Sequence, residues 1–339
     1  MKKIYIVTGG TGFVGNNVVK KLEDRGETVV ALARDPEKVK KALAGCKAAI
    51  VYGDVRNPDD LEKLFINGNK SEYVFIHTAS LVHIGNDKKI IKEMFDINLN
   101  GAKNVVEVCK KHKCRLLYVS SVHAITEPKK RALTSEIENF DPKTVVGVYA
   151  KSKAGASKIV MDAIKNDGLD AVIVHPAGIT GPNDWSNSHL TQMVEDFASG
   201  RIPAACGGGY DFVDVRDVAD GILAAIEKGK KGERFLLSNK YYSVKELLGY
   251  LSDLGLGKKP KITMPIWLAV FSLPFLGLYF KIRKERPLYT SYSLYTLGSN
   301  SNFSHAKAEQ QLGFKPRSLK ESLADTVKFL GLKANVDGA

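Results

Sequence analysis

Only four cysteines, Cys46, Cys109, Cys114 and Cys206, occur in the 339 residues, and no two have the CxxC spacing of a redox or zinc pair. No secretory h-region stands ahead of the first strand-like run. Reduced thiols in a cytoplasmic protein are therefore expected, each serving as a small core residue. The seven histidines show no HExxH or comparable ligand spacing, which removes the usual reason to expect a metal site. Acidic residues are in deficit, 37 against 50 lysines and arginines, for a formal charge of +13. No nucleic-acid motif accompanies that excess, so nucleic acid is not an expected partner. Clusters such as Lys40-Lys41, Lys129-Lys130-Arg131 and Lys228 to Lys231 read as solvated faces. The excess also suits an anionic cofactor or the surface of an anionic bilayer. With 44% hydrophobic residues the chain is not expected to be disordered, and its length allows one large α/β domain or a nucleotide domain with a smaller companion.

What is present is organised around residues 1–15, where a short apolar strand runs straight into a glycine-spaced turn. Ile4 to Val7 supply the β-branched and aromatic residues of a buried strand. After Thr8, the residues Gly9, Gly12 and Gly15 have the spacing of a tight turn, a close backbone approach and a helix packed on a strand. The helix opens at Phe13 and Val14 and carries Val18, Val19 and Leu22 at helical spacing. Its free N–H groups and positive dipole end then face a pyrophosphate. A second strand, Thr28 to Ala33, begins within the unit of about thirty residues expected of a dinucleotide-binding βαβ.

The tip of that strand, where an acidic residue normally binds the ribose hydroxyls of NAD, reads Ala33-Arg34-Asp35. Arg34, with Lys38 and Lys41 a helical turn away, offers a positive fork for a 2′-phosphate and so favours NADP(H) over NAD(H). The competing reading has Arg34 as a surface residue and Asp35 serving NAD. A third strand, Ala48 to Tyr52, leads into Gly53-Asp54-Val55 and a helix from about Asn57 to Phe65. A fourth, Tyr73 to His77, ends in Thr78-Ala79-Ser80, small residues that let a cofactor approach the backbone. Asn98 lies inside a long helix over about Lys89 to His112, where an asparagine costs propensity and so has either a structural hydrogen bond or a site role.

The fifth strand, Leu116 to Val119, ends in Ser120-Ser121. Farther on, Tyr149-Ala-Lys-Ser-Lys153 opens another helix. Four residues of separation put the Tyr149 hydroxyl and the Lys153 ammonium on one helical face, where a cation is expected to lower the tyrosine pKa. Such a tyrosine exchanges a proton with an alcohol or ketone while a serine at a strand end holds the oxygen. A sixth strand, Leu169 to His175, exits through Pro176 to Pro182, with Pro176 and Ile179 passing beside the reactive end of a cofactor. Six strands alternating with helices imply an α/β doubly wound parallel sheet.

These residues resemble the extended short-chain dehydrogenase/reductases, the NAD-dependent epimerase/dehydratase superfamily, over nearly the whole chain. Within it the closest likeness is to the 3β-hydroxysteroid dehydrogenase and dihydroflavonol 4-reductase branch. The resemblance is carried by TGGTGFVG (Thr8 to Gly15), ARDP (Ala33 to Pro36), GDVRNP (Gly53 to Pro58), IHTAS (Ile76 to Ser80), NLNGAKNVV (Asn98 to Val106), YVSSVHA (Tyr118 to Ala124), YAKSKA (Tyr149 to Ala154), HPAGITGP (His175 to Pro182) and FVDVRDVADG (Phe212 to Gly221). It implies a Rossmann-type domain over 1–182, completed by parts of 205–240, and a substrate-binding region over 183–332 with a flexible tail over 333–339. It further implies Ser121 as the carbonyl-orienting serine, Tyr149 as acid/base, Lys153 as its modulator and ribose ligand, Asn98 as the active-site asparagine and Asp54 with Val55 as the adenine-binding pair. Strand alternation lets one of Ser120 and Ser121 face the site, and counting from Tyr118 selects Ser121. His175 departs from the arginine usual before the proline.

Beyond residue 182 the expected elements are a helix over Ser188 to Ser199, a turn at Gly207 to Asp211, a helix ending near Glu227, a strand at Phe235 to Leu237, a Ser243-capped helix to Leu254 and a last helical pair ending near Leu330. Residues 262–280 contain no charge, and Lys281 to Arg286 is strongly basic. Pro265 and Pro274 are expected to break that segment. Three readings stay open: a buried helix, an apolar lid, and peripheral membrane contact through 262–286. The function expected from all of this is NADP-dependent interconversion of a secondary alcohol and a ketone on a small apolar, steroid- or flavonoid-like substrate, by a monomer or homodimer. A nucleotide-sugar epimerase/dehydratase and a non-catalytic NADP-sensing protein are the alternatives.

Overall fold

A computed structural model of the protein describes residues 2–66, 71–128, 132–202, 204–282 and 289–333. The Lys129-Lys130-Arg131 cluster, residues 283–286 of the basic run and residues 334–339 of the expected tail lie outside the described residues. The β-branched runs form strands β1 (Lys2–Thr8), β2 (Thr28–Ala33), β3 (Ala49–Tyr52), β4 (Ser71–His77), β5 (Arg115–Val119) and β6 (Ala171–Pro176). Between and after them come helices α1 (Phe13–Asp24), α2 (Pro36–Ala42), α3 (Pro58–Glu62), α4 (Lys88–Phe95), α5 (Gly101–Lys111) and α6 (Val148–Asn166). The chain continues through β7 (Gly178–Thr180), α7 (His189–Ala198), β8 (Ala205–Cys206), β9 (Gly209–Asp214), α8 (Val215–Lys228), β10 (Arg234–Leu237), β11 (Tyr241–Ser243) and α9 (Val244–Asp253). It finishes with β12 (Thr263–Met264), α10 (Ile266–Ile282), α11 (Ser291–Gly298), α12 (Ala306–Leu312) and α13 (Leu319–Phe329).

Seven strands pair in the order β10-β6-β5-β4-β1-β2-β3, every ladder parallel. Helices cover both faces, which is why β1, β2 and β4 read as continuous apolar runs instead of alternating ones. The doubly wound α/β sheet is thus as expected, with β10 as a seventh strand. Strand order reverses between β1 and β4, opening a crevice at their C-terminal ends. The glycine turn and Thr78-Ala79 flank that crevice, and Ser120-Ser121 leaves the same sheet edge one strand farther on. A smaller sheet, β11-β9-β7, stands beside the large one. Its central strand feeds α8 through Asp214, a buried carboxylate held by Arg216 Nε (2.9 Å), Arg216 Nη2 (2.8 Å) and the Ser322 hydroxyl of α13.

Four local expectations are corrected. The long helix over 89–112 is interrupted by a π turn, Asp96–Asn100, so Asn98 sits in a widened turn and not in regular helix. The helix expected to reach Phe65 ends at Glu62. The glycines at 207–209 suggested a turn through Asp211, but Gly209–Asp214 is a strand because β7 and β11 supply partners on both sides. Pro274 does not break the apolar segment. After β12, α10 runs through it, and its residues Trp267, Phe271 and Phe275 are exposed, which removes the buried-helix reading.

Candidate active site

The turn after β1 is shaped for a dinucleotide. Gly9 has φ +70°, a left-handed conformation, and a Cβ there would lie 2.7 Å from the backbone N of Ala79. A Cβ on Gly15 would sit 2.1 Å from the Gly9 carbonyl oxygen and 2.8 Å from Thr78 Oγ1. Thr78 in turn donates to the Thr8 carbonyl at 2.7 Å, so Thr8, Gly9, Gly15, Thr78 and Ala79 form one close-packed wall. Gly12 differs: its Cβ would meet only the Gly9 carbonyl, at 3.1 Å, leaving that side open. Gly12 also caps α1 with no side-chain hydrogen bond, and no acidic residue occupies the first turn. The N-terminus of α1, at Phe13 and Val14, is therefore free to bind phosphate oxygens. A nicotinamide dinucleotide fits this cradle.

At the tip of β2, Arg34 is exposed and its Nη1 lies 3.6 Å from the Asp54 carboxylate. Asp54 is gripped more closely by Arg56, through Nε (3.0 Å) and Nη2 (2.8 Å), and these bonds overcome the cost of burial to hold its pKa below the usual carboxylate range. Asp35 is committed elsewhere, its side chain capping α2 by accepting from the N–H groups of Glu37 and Lys38. Lys38 lies exposed in the first turn of α2. Val55 is buried beneath Gly101 at the start of α5, and Asn104 holds its carbonyl at 3.1 Å.

The chemistry collects at the ends of β5 and α6. Ser120 turns inward, its hydroxyl 2.6 Å from that of Ser157. Ser121 faces the other way: its hydroxyl oxygen accepts from the His123 N–H at 3.2 Å and stands beside Tyr149, the serine that counting from Tyr118 as the family's aromatic position selects. Burial raises the Tyr149 phenol to about 12, and the neighbouring Ser121 hydroxyl opposes this only in part. Lys153 is buried where Tyr149 is half-buried, and sends its ammonium to the Val119 carbonyl at 3.0 Å, 5.7 Å from the centre of the Tyr118 ring. Desolvation lowers its pKa to about 7. The expected lowering of Tyr149 by Lys153 is therefore not what the site displays. Spacing of four puts both on one helix face, yet the ammonium is engaged by a strand carbonyl and burial dominates both groups.

Asn98 has no hydrogen-bonding capacity left for a ligand. Its amide oxygen accepts from Ser80 Oγ (3.0 Å) and the Leu81 N–H (2.9 Å), while its nitrogen donates to the Leu81 carbonyl (3.0 Å) and Ser152 Oγ (3.0 Å). Ser152 donates to the Tyr149 carbonyl at 2.8 Å, so Asn98 positions the start of α6. His175 is fully buried in β6, stacked on Phe140 at 5.3 Å, and desolvation drives it down to about 3, a neutral ring where arginine was usual. Pro176 ends β6 as a buried residue, and Ile179 sits half-buried in β7. Among the described residues no group of three His, Cys, Asp or Glu could hold a metal ion, and all four cysteines are free.

Three residues at the site were not singled out from the sequence. His123 follows Ser121 by two positions and packs edge-on to Tyr149, ring centroids 5.9 Å apart. Its Nε2 is 2.9 Å from the Tyr210 hydroxyl and its Nδ1 3.3 Å from that of Tyr292. Burial lowers His123 to about 4, so the ring is neutral and one nitrogen accepts while the other donates. A cavity of about 210 Å³ adjoins this triad at the start of α6, lined also by Tyr295, Phe303 and Glu127. His123 was visible within YVSSVHA; Tyr210 and Tyr292 arrive from β9 and α11 with no local pattern to mark them. Gly147 (φ +96°) makes room for Tyr292, since a Cβ there would overlap its ring at 2.0 Å.

With this geometry in place, comparison with known proteins gives three findings. Residues 5–238 match the NAD dependent epimerase/dehydratase family. The chain is 31% identical to sterol demethylase protein B of Methylococcus capsulatus over 96% of this chain and 97% of that protein, and 30% identical to a putative dihydroflavonol 4-reductase of Synechocystis over 97% and 95%. Among solved structures, that of gox2253 superposes with a TM-score of 0.82 at 27% identity, covering 97% of this chain and 98% of the other.

Proposed function

The chain belongs to the NAD dependent epimerase/dehydratase family, and within it we propose an NADP-dependent oxidoreductase that interconverts a secondary alcohol and a ketone on a lipophilic, steroid- or flavonoid-like substrate. One observation carries the reading: the Ser121 hydroxyl beside Tyr149, with Lys153 buried next to them and held by the Val119 carbonyl, at the sheet edge beside the dinucleotide crevice. A nicotinamide dinucleotide held by the Gly9 to Gly15 turn and the N-terminus of α1 would supply or accept the hydride at the carbinol carbon. The protein's own part is the proton. A phenol raised to about 12 is protonated at neutral pH, the acid form needed to protonate a carbonyl oxygen during reduction. Ser121 shares the substrate oxygen and orients it toward the Tyr149 hydroxyl. Asn98, through Ser152, fixes the backbone at Tyr149.

The choice of NADP rests on Arg34 at the tip of β2 and on Asp35 being occupied as a helix cap. A lipophilic substrate is supported by the aromatic lining of His123, Tyr210, Tyr292, Tyr295 and Phe303, and by relatives whose names refer to a sterol and a dihydroflavonol. Among the described residues the same lining contains no lysine or arginine to pair with a sugar diphosphate, and its one charged residue, Glu127, is acidic. A cytoplasmic site of action accompanies the reading and suits four free thiols. The direct test mixes purified protein with NADPH or NADH and a panel of sterol ketones, flavanonols and nucleotide sugars. Nicotinamide absorbance is followed for the ketones, and product formation by chromatography for the nucleotide sugars, whose epimerisation leaves the nicotinamide unchanged overall. Turnover of an apolar ketone with NADPH is expected. Turnover of nucleotide sugars alone moves the protein to the epimerases, and tight NADPH binding with no turnover makes it a sensor.

A further inference from the structure

On α10, Trp267, Phe271 and Phe275 follow each other at four-residue spacing and are 70%, 67% and 68% exposed. The rings of Phe271 and Phe275 lie 6.1 Å apart. Ile262, just upstream, is 71% exposed, and Val270 and Leu268 widen the patch. The opposite side of the helix is accounted for: Ala269 is fully buried, with Ile266 and Leu273, against Leu294 and Leu297 of α11 and Cys206 of β8. A run of large apolar side chains held out in solvent by a helix that is anchored on its other side calls for an occupant. The charge beside the patch selects one. Lys258, Lys259 and Lys261 are exposed in the segment that leads into it, and the whole chain carries +13. A second copy of the chain would bring equal positive charge to this face, whereas an anionic bilayer supplies both an apolar layer and compensating headgroups.

We propose that α10 is a bilayer-docking helix that lies in the interface of an anionic membrane, with Trp267, Phe271 and Phe275 inserted at the acyl boundary and Lys258, Lys259 and Lys261 at headgroup level. No helix of the described residues is long and apolar enough to cross a membrane, which fits a helix lying on the surface. Docking places the lipid one helix away from the cavity: α10 packs on α11, and α11 carries Tyr292 to His123 beside Tyr149. The docking stands on its own surface chemistry, whatever reaction the site performs.

Flotation of the full chain with phosphatidylcholine vesicles, with and without phosphatidylglycerol, tests this. Binding to the phosphatidylglycerol vesicles is expected to exceed binding to the neutral ones. In a Trp185→Phe background, which leaves Trp267 as the remaining tryptophan, the emission shifts to the blue on adding anionic vesicles. The Trp267→Ser/Phe271→Ser/Phe275→Ser variant, with an unchanged melting temperature, loses at least about tenfold in partitioning. The Lys258→Glu/Lys259→Glu/Lys261→Glu variant, with α10 intact, loses the preference for anionic lipid. Failure of the wild type to float with anionic vesicles overturns the proposal, as does undiminished binding by the aromatic variant. So does a concentration-dependent blue shift of Trp267 without lipid, which would make the occupant a second copy of the chain.

Discussion

Replacing Lys153 with methionine should make the unliganded protein more stable while abolishing its activity. The ammonium is buried, and its pKa falls from the ordinary 10.5 to about 7 for want of solvation. At roughly 1.4 kcal/mol per pH unit, holding that group in the fold costs on the order of 5 kcal/mol at pH 7. The hydrogen bond to the Val119 carbonyl returns about 1 to 1.5 kcal/mol, and methionine, of similar length, forfeits it. A net gain of about 2 to 4 kcal/mol is expected at pH 7. The sign with pH follows from linkage. Between about 7 and 10.5 the unfolded chain binds a proton that the folded chain does not, so wild-type stability rises with pH across that window. The advantage of Lys153→Met therefore shrinks toward zero near pH 9.5 to 10. Urea unfolding of both proteins at pH 7 and pH 9.5, followed by far-ultraviolet circular dichroism, measures it. A variant less stable than wild type at both pH values, or a difference that does not change with pH, would refute the argument that desolvation governs this lysine.

Other consequences are more local. Gly15→Ala forces a Cβ into the Gly9 carbonyl, so it should cost about 1 to 3 kcal/mol of stability and remove dinucleotide binding in a fluorescence titration. Arg34→Ala should weaken NADPH by at least about tenfold and leave NADH nearly unchanged; equal losses would count against a 2′-phosphate contact. Tyr292→Phe removes the hydroxyl facing His123 Nδ1 and should raise KM for the ketone several-fold at constant cofactor affinity, which steady-state kinetics will read.

Much of the fold was legible because the signals were local. Glycines after a β-branched run and the alternation of strand and helix follow from backbone sterics and burial, and both survive in the structure. Ser121 was legible through the family likeness: alternation lets one of the two serines face the site, and counting from Tyr118 as the family's aromatic position chose between them. What escaped depended on distant partners. Gly209–Asp214 is a strand only because β7 and β11 arrive on either side. The exposure of α10 was hidden because a helix apolar all round reads alike in a core and on a surface. Asn98 announced itself as an oddity in a helix, but its commitment to Ser80, Leu81 and Ser152 is a property of three separate segments. The pull of Lys153 on Tyr149 was a fair inference from spacing, and it failed because spacing says nothing of the Val119 carbonyl or of burial.

The central claim is that Tyr149 delivers the proton in a hydride-transfer reaction, and one measurement bears on it most directly: single-turnover kinetics of Tyr149→Phe against wild type, with saturating NADPH and an apolar ketone accepted by the wild type. The account predicts unchanged NADPH affinity and a rate of hydride transfer lower by about 10²- to 10⁴-fold. Hydride transfer at the wild-type rate in the variant would contradict it.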